Sequence, residues 1–361
     1  MANVNILDCT LRDGGYVNNW AFSNDMSTNL IDSLVKAKIE FIELGYINKT
    51  NGECKDTTMF SNLSCIENIV TNSNAKYLVM LNVGDFDVED MDYNPNIFGI
   101  RLAFRKDNWE QAFEDAKKII AMGFKVFMQP MITLSYSDKE LLEMMNEFNK
   151  IDIYAFYIVD SFGAMQSHDV SRLALLIDNN LKKGVKLGLH AHNNLQLAYS
   201  NAVTLVQSIS DSDRELIIDS SVLGMGRGAG NLNTELFADY LVKNFHKDYE
   251  IKSLLDIIDN YISIIHKENY WGYSAAHYIS AIYNCHPNYS TYLSGKGDIA
   301  AKDIENIISN ITESKKHKFD KKYIEDLYID HNLSKYSDYE NELFKRPHLN
   351  FKIKGEYNCF R

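Results

Sequence analysis

Eight short apolar, β-branched runs recur at 3–8, 39–44, 77–82, 98–103, 125–129, 155–159, 186–191 and 216–220 of this 361-residue chain. None alternates strictly between apolar and polar, the pattern of strands buried on both faces. Between them lie stretches with helical spacing, at 27–38, 61–72, 109–122, 138–150, 168–180, 194–208 and 233–244. Asp138-Lys139-Glu140 supplies one of these with a cap and a negative first turn. Eight nearly even strand–helix units predict an α/β fold, a (β/α)8 TIM barrel, in preference to a doubly wound open sheet. The barrel is expected over residues 1–245. Helical spacing at 254–268, 274–283, 303–309 and 321–328 predicts a small helical C-terminal domain over 246–335, followed by a tail at 336–361.

A net charge of −12 and a pI near 5.3 argue against nucleic acid or an anionic membrane surface as the main partner. No apolar run approaches the roughly 18 residues of a membrane span. The five cysteines, Cys9, Cys54, Cys65, Cys285 and Cys359, are odd in number and lack CxxC spacing. With no signal-peptide pattern at Met1-Ala2-Asn3-Val4-Asn5, they read as free thiols of a soluble cytoplasmic protein.

Two segments carry the clearest chemistry. The first strand runs into Thr10-Leu11-Arg12-Asp13-Gly14-Gly15, and the seventh ends in His190-Ala191-His192-Asn193. Side chains two apart on a strand share a face, so His190 and His192 can reach one point. With Asp13 they form a usual ligand set for a divalent ion that keeps positions open for substrate. Arg12 adds a cation suited to opposing the charge of a developing enolate, whereas its bland alternative is a surface pair with Asp13. Gly14 and Gly15 let the backbone turn where a side chain would crowd the mouth.

Other polar groups fall at strand ends. After the eighth strand, Gly224-Met225-Gly226-Arg227-Gly228-Ala229-Gly230-Asn231 reads either as a tight turn or as a loop whose N–H groups meet anionic oxygens, with Arg227 as a carboxylate or phosphate contact and Asn231 approaching the metal. Asp160, beside Ser161, either orients Arg12 or a histidine from behind or bonds its own turn. Arg101 and Gln129 place polar groups where barrel interiors are apolar, for substrate contact or an internal ion pair. Tyr270, Tyr273 and His277 lie in the C-terminal helices.

Arg12-Asp13-Gly14, His190-x-His192-Asn193 and Gly226-x-Gly228-x-Gly230-Asn231 occur in an order that resembles the DRE-TIM metallolyase superfamily, over about residues 4–245. Val159-Asp160-Ser161-Phe162-Gly163-Ala164-Met165 most resembles its pyruvate-forming aldolase branch, that of the 4-hydroxy-2-oxovalerate aldolases. The resemblance implies Mn2+ or Mg2+ on Asp13, His190 and His192, with Asn231 as a further ligand and Arg12 stabilising the enolate. It also implies a C-terminal domain that meets a dehydrogenase partner. Two departures stand out. The related Claisen synthases read Arg-Asp-Gly-Glu-Gln, where this chain has Arg12-Asp13-Gly14-Gly15-Tyr16. The aldolases place a catalytic histidine where this chain has Tyr16, and a phenol needs strong local help to act as a base.

The expected protein is therefore a metal-dependent aldolase acting on a small 2-oxo acid and an aldehyde through a pyruvate enolate. Arg12 is the electrostatic group and Tyr16 the first choice of base, with Tyr273 or His277 reaching over as others. Asp160, Ser161, Arg227, Arg101 and Gln129 are the candidates for substrate contact, and a homodimer is the expected assembly. The alternatives are a Claisen-type acyl-CoA lyase or acyltransferase, and a catalytically silent barrel that binds a partner.

Overall fold

The computed structural model describes residues 3–49, 55–70, 73–297 and 299–345. Eight parallel strands close on themselves: β1 (Val4–Asp8), β2 (Phe41–Ile47), β3 (Lys76–Asn82), β4 (Ile97–Phe104), β5 (Lys125–Pro130), β6 (Ala155–Asp160), β7 (Lys186–Ala191) and β8 (Leu216–Ser220). Each pairs with the next, and β1 pairs with both β8 and β2, so the expected TIM barrel is the observed fold. A two-residue strand, Met59–Phe60, adds to the outer end of β2.

The inside of the barrel is a sequence of layers, because inward residues recur every second position. Leu7, Phe41, Leu78, Phe127, Tyr157 and Ile217 fill the lower interior and leave no pore. One step higher in the same period come Glu43, Arg101 and Asp219, all fully buried or nearly so. Above them the strands end and the mouth opens. Outward-facing residues such as Ile42, Val79, Ile100, Ile158 and Ile218 pack against the surrounding helices in the main core.

The helices Asn24–Lys36, Trp109–Ala121, Asp138–Phe148, Ser167–Asn180, Ala198–Ser208 and Thr234–Phe245 fall where expected. Ser137 and Glu140 close a reciprocal capping box at the start of Asp138–Phe148. The helix expected at 61–72 is instead a 3-10 helix, Leu63–Asn68. Asn62 accepts from the N–H groups of Leu63 and Asp92, and Asn94 donates to the Leu63 carbonyl, so local side chains take groups that a longer helix would use. Between β3 and β4 the chain crosses with only the short 3-10 turn Val88–Asp90.

Helical chain from Ile251 to Glu268 packs Leu254, Ile257, Ile262 and Ile265 into the barrel's own core. A separate apolar cluster begins at Ile279 and runs through Tyr289, Leu293, Ile304, Ile308 and Ile324. The last helix, Lys321–Lys345, is longer than the expected 321–328, since no glycine or proline interrupts it. The remainder of the expected tail, from residue 346, lies outside the described residues. Cys9 and Cys285 are buried free thiols. Cys65, expected to be free, takes part in a disulfide; an odd total forbids complete pairing but not one pair. Cys54 and Cys359 lie outside the described residues. Among the described residues no helix is long and apolar enough to cross a membrane.

Candidate active site

The mouth is built from the ends of β1 and β7. After β1 the chain forms one helical turn, Thr10–Asp13, which carries Arg12 and Asp13 inward and buries both. On β7 the strand period aims His190 and His192 at the same place, with their ring centroids 5.1 Å apart. A carboxylate oxygen of Asp13 and one nitrogen from each imidazole all lie within 4.8 Å of one another. Asn231 approaches from the loop after β8 and donates to Asp13 Oδ2 at 2.7 Å.

Gly226 in that loop has no room for a side chain: a Cβ there would lie 2.3 Å from Asn231 Nδ2 and 2.7 Å from Asp13 Oδ2. The loop's backbone serves internal packing, with Ala229 N–H donating to Asn194 Oδ1 at 2.8 Å. At Gly15 the backbone is helical, and glycine is required by the Trp20 ring, 2.1 Å from where a Cβ would sit.

A buried chain of alternating charges supports these groups. Arg12 Nη1 donates to Asp13 Oδ1 at 2.5 Å, and its Nε donates to Glu43 Oε2 at 2.8 Å. Arg101 Nη1 meets the same Glu43 oxygen at 2.7 Å, and its Nη2 reaches Asp219 Oδ2. Asp219 Oδ2 in turn lies 2.9 Å from His190 Nδ1. A carboxylate there favours the proton on Nδ1 and leaves Nε2 free as a ligand atom, the usual support for a metal-binding histidine.

Burial alone would raise the Asp13 carboxyl, but Arg12, His192, His190 and Arg227 outweigh it and hold it below the ordinary range, so it is ionised. Burial lowers His192 to about 3 and keeps its imidazole neutral. Among the described residues its Nδ1 is buried without a hydrogen-bond partner, as is Asn231 Oδ1. One anionic oxygen, two neutral imidazoles and these orphaned buried acceptors fit a divalent cation, and Asp13, His190 and His192 are the residues that would hold it.

A cavity of about 290 Å³ opens over this centre. The structure brings Arg12, Asp13, Tyr16, Gln129, Ser161, His190, His192 and Arg227 together around it. Arg227 donates to the Ser161 carbonyl at 3.2 Å and sits over the Tyr16 ring at 5.3 Å. Arg12 Nη2 and Gln129 Nε2 at its wall are buried donors without partners among the described residues.

Asp160, Arg101, Tyr273 and His277, all expected here, do not line this cavity. The Asp160 carboxylate accepts from the backbone N–H groups of Ala164 and Met165 at 2.9 and 3.1 Å, so the side chain bonds its own turn, while its backbone carbonyl accepts from the His192 N–H at 3.3 Å. Arg101 closes the internal ion pairs described above. Tyr273 is 54% exposed and faces a separate hollow, because Trp271 inserts in its stead and donates to the Leu223 carbonyl at 3.0 Å. His277 lines a neighbouring hollow together with Tyr16 and Arg227.

Sequence reasoning missed Glu43 and Asp219. Each is a lone acid inside an apolar strand, in period-two step with an inward aromatic or aliphatic residue, Phe41 or Ile217. Arg101 on β4 was the matching signal. Asn82, Asp85, Arg105 and Asn108, also missed, follow the ends of β3 and β4 and line the cavity's other wall.

Fold and site together define a TIM barrel with a two-histidine, one-carboxylate cluster beside a buried arginine. Residues 98–260 match the family model described as HMGL-like. The chain is 25% identical over 262 residues to a 4-hydroxy-2-oxovalerate aldolase of Bacillus cereus, an alignment covering 71% of this chain and 75% of that protein. It is 27% identical over 246 residues to one from Pseudoalteromonas translucida, covering 66% and 69%. Among solved structures, the N-terminal domain of a Bacteroides vulgatus protein named as an aldolase candidate is 30% identical, with a TM-score of 0.70 over 80% of this chain and 96% of that one. An HMG-CoA lyase from Bacillus subtilis shares the fold, at 13% identity and a TM-score of 0.57 over 74% of this chain and 93% of that one. The chain belongs to the HMGL-like family, within the DRE-TIM metallolyases, and is a lyase of the aldolase kind.

Proposed function

We propose that this protein is a divalent-metal-dependent aldolase that cleaves or forms a 4-hydroxy-2-oxo acid through the enolate of pyruvate. The convergence of Asp13, His190 and His192, with Arg12 beside them, carries the reading. The relatives named 4-hydroxy-2-oxovalerate aldolase support the substrate class. Mn2+ or Mg2+ held by the three ligands would polarise the 2-oxo group. Arg12 is fixed on two sides by Asp13 and Glu43, which leaves Nη2 to oppose the negative charge growing on the C2 oxygen.

In the cleavage direction a base takes the proton of the C4 hydroxyl, and the C3–C4 bond breaks as the C4 carbonyl forms. The released electron pair becomes the C2–C3 double bond of the enolate. A proton delivered to C3 then completes pyruvate. Tyr16, whose side chain lines the cavity, is our choice to move the hydroxyl proton, directly or through one water. Ser161, Gln129 and Arg227 would orient the carboxylate end. We further propose a cytoplasmic enzyme that meets, through its C-terminal helices, a dehydrogenase, as the resemblance implies, or a second copy of the chain.

The test is pyruvate release from a panel of 4-hydroxy-2-oxo acids, with Mn2+ or Mg2+ added and then with chelator. Metal-dependent pyruvate formation is expected. Full activity with no metal bound, a thioester-dependent product, or no pyruvate from any member of the panel overturns the reading.

A further inference from the structure

In a closed barrel the ends of β3 and β4 lie across the mouth from β7 and β8, so the cavity has two opposite walls. A 2-oxo acid seated at Asp13, His190 and His192 extends its remaining carbons toward β3 and β4. The floor there is apolar, made by Met80, Ala103 and Met131. The rim above that floor is polar and of mixed sign. Asp85 is exposed and takes hydrogen bonds from Tyr46 and from Asn82 Nδ2, both on its Oδ2. Arg105 donates Nη1 to the His317 carbonyl and has no acidic partner among the described residues. Asn108 stands beside it and accepts from the Arg105 backbone N–H at 2.7 Å. Gln129, 2% exposed, turns an unpartnered amide nitrogen to the same cavity.

A plain alkyl aldehyde would leave these donors and acceptors unanswered and would strip water from a carboxylate without replacing it. An anionic aldehyde would meet Arg105 favourably but would be repelled by Asp85 on the same rim. A hydroxyl both donates and accepts, and satisfies a rim that carries both signs. Resting on the aldolase reading above, we propose that the aldehyde half of the substrate is a neutral, hydroxylated chain. Its C–H faces lie on Met80, Ala103 and Met131, and its hydroxyls are read by Asp85, Arg105, Asn108 and Gln129.

The purified, metal-loaded protein is given pyruvate with glyceraldehyde, with 2-methylbutanal (methyls in place of both hydroxyls), or with glyceraldehyde 3-phosphate. In each case C3 of pyruvate loses a proton and bonds to the aldehyde carbon, whose oxygen takes up a proton. The expected kcat/KM for glyceraldehyde exceeds that of either rival on the order of 10- to 100-fold. Asp85→Ala and, separately, Asn108→Ala are expected to shrink that ratio. A second arm needs no turnover: calorimetric binding of 5,6-dihydroxy-2-oxohexanoate, which lacks the C4 hydroxyl and cannot be cleaved, against 2-oxohexanoate. Tighter binding of the dihydroxy acid by about tenfold is expected, and equal or reversed affinities overturn the proposal. Preference for the alkyl or the phosphorylated aldehyde overturns it while leaving the aldolase intact. Absence of aldol product from every aldehyde overturns the aldolase reading, and the binding arm still decides whether the rim reads hydroxyls.

Discussion

The two walls of the mouth are built on opposite principles. Beside β1 and β7 and beneath the mouth, Arg12, Asp13, His190, Glu43 (on β2), Arg101 (on β4) and Asp219 (on β8) are buried and joined in a network of ion pairs and hydrogen bonds, with His192 buried next to Asp13. On the side of β3 and β4, Asp85 is open to water and the Arg105 side chain, among the described residues, is held by the His317 backbone carbonyl. Reacting groups must be aimed before substrate arrives, and the network aims them without further reorganisation. Recognition of a variable end is left to side chains that exchange water for ligand. On the function proposed above, catalytic power would be supplied from beneath the site and selectivity from its rim.

The largest effect expected is at the ligands. His190→Ala and His192→Ala should each lower retained metal below one equivalent and cut activity by roughly a thousandfold or more, checked by elemental analysis alongside the pyruvate assay. Metal content unchanged in both would break the comparison outright. Arg12→Ala should lower kcat by about 100- to 1000-fold with metal still bound, the scale of losing one oxyanion stabiliser.

Asp219→Asn sharpens the claim that aim comes from below. Asp219 does not itself line the cavity, yet its loss should weaken metal affinity by about 10- to 100-fold through His190, read by competition with a fluorescent chelator. The smallest effect is on stability. Burial raises Asp160 from 3.8 to about 7 despite the backbone donors of Ala164 and Met165. Its neutral form is the one the fold favours, so the associated stability is present below pH 4 and is lost as pH rises to about 7. The slope is at most about 1.4 kcal/mol per pH unit. Asp160→Asn should flatten the urea-unfolding profile across that window; an unchanged slope would show that Asp160 is ionised throughout.

The barrel was legible because eight apolar runs at even spacing admit few other closed arrangements, and the convergence of His190 and His192 because a strand's period of two aims them together. Arg12 was legible by adjacency to Asp13. What escaped was the second member of each buried pair. Glu43 and Asp219 sit on β2 and β8, and nothing within their own strands says that Arg101 on β4 faces them both. Asp160 misled for the converse reason: an acid at a strand end has an equally good local use, and here the N–H groups of its own turn won. Tyr273 misled because the choice between it and Trp271 depends on which ring the barrel edge accepts. The 61–72 helix failed where asparagine side chains at 62 and 94 competed for its backbone.

The ionic layer under the mouth also sets an electroneutrality condition. Two guanidiniums, Arg12 and Arg101, face three carboxylates, Asp13, Glu43 and Asp219, and the depressed His192 adds no charge, so these groups sum to minus one. A divalent ion would turn that to plus one, and the carboxylate of a 2-oxo acid would bring it to zero. Under the metal-dependent reading proposed above, that balance predicts an order of addition: cation first, acid second, each creating the charge that the next one cancels.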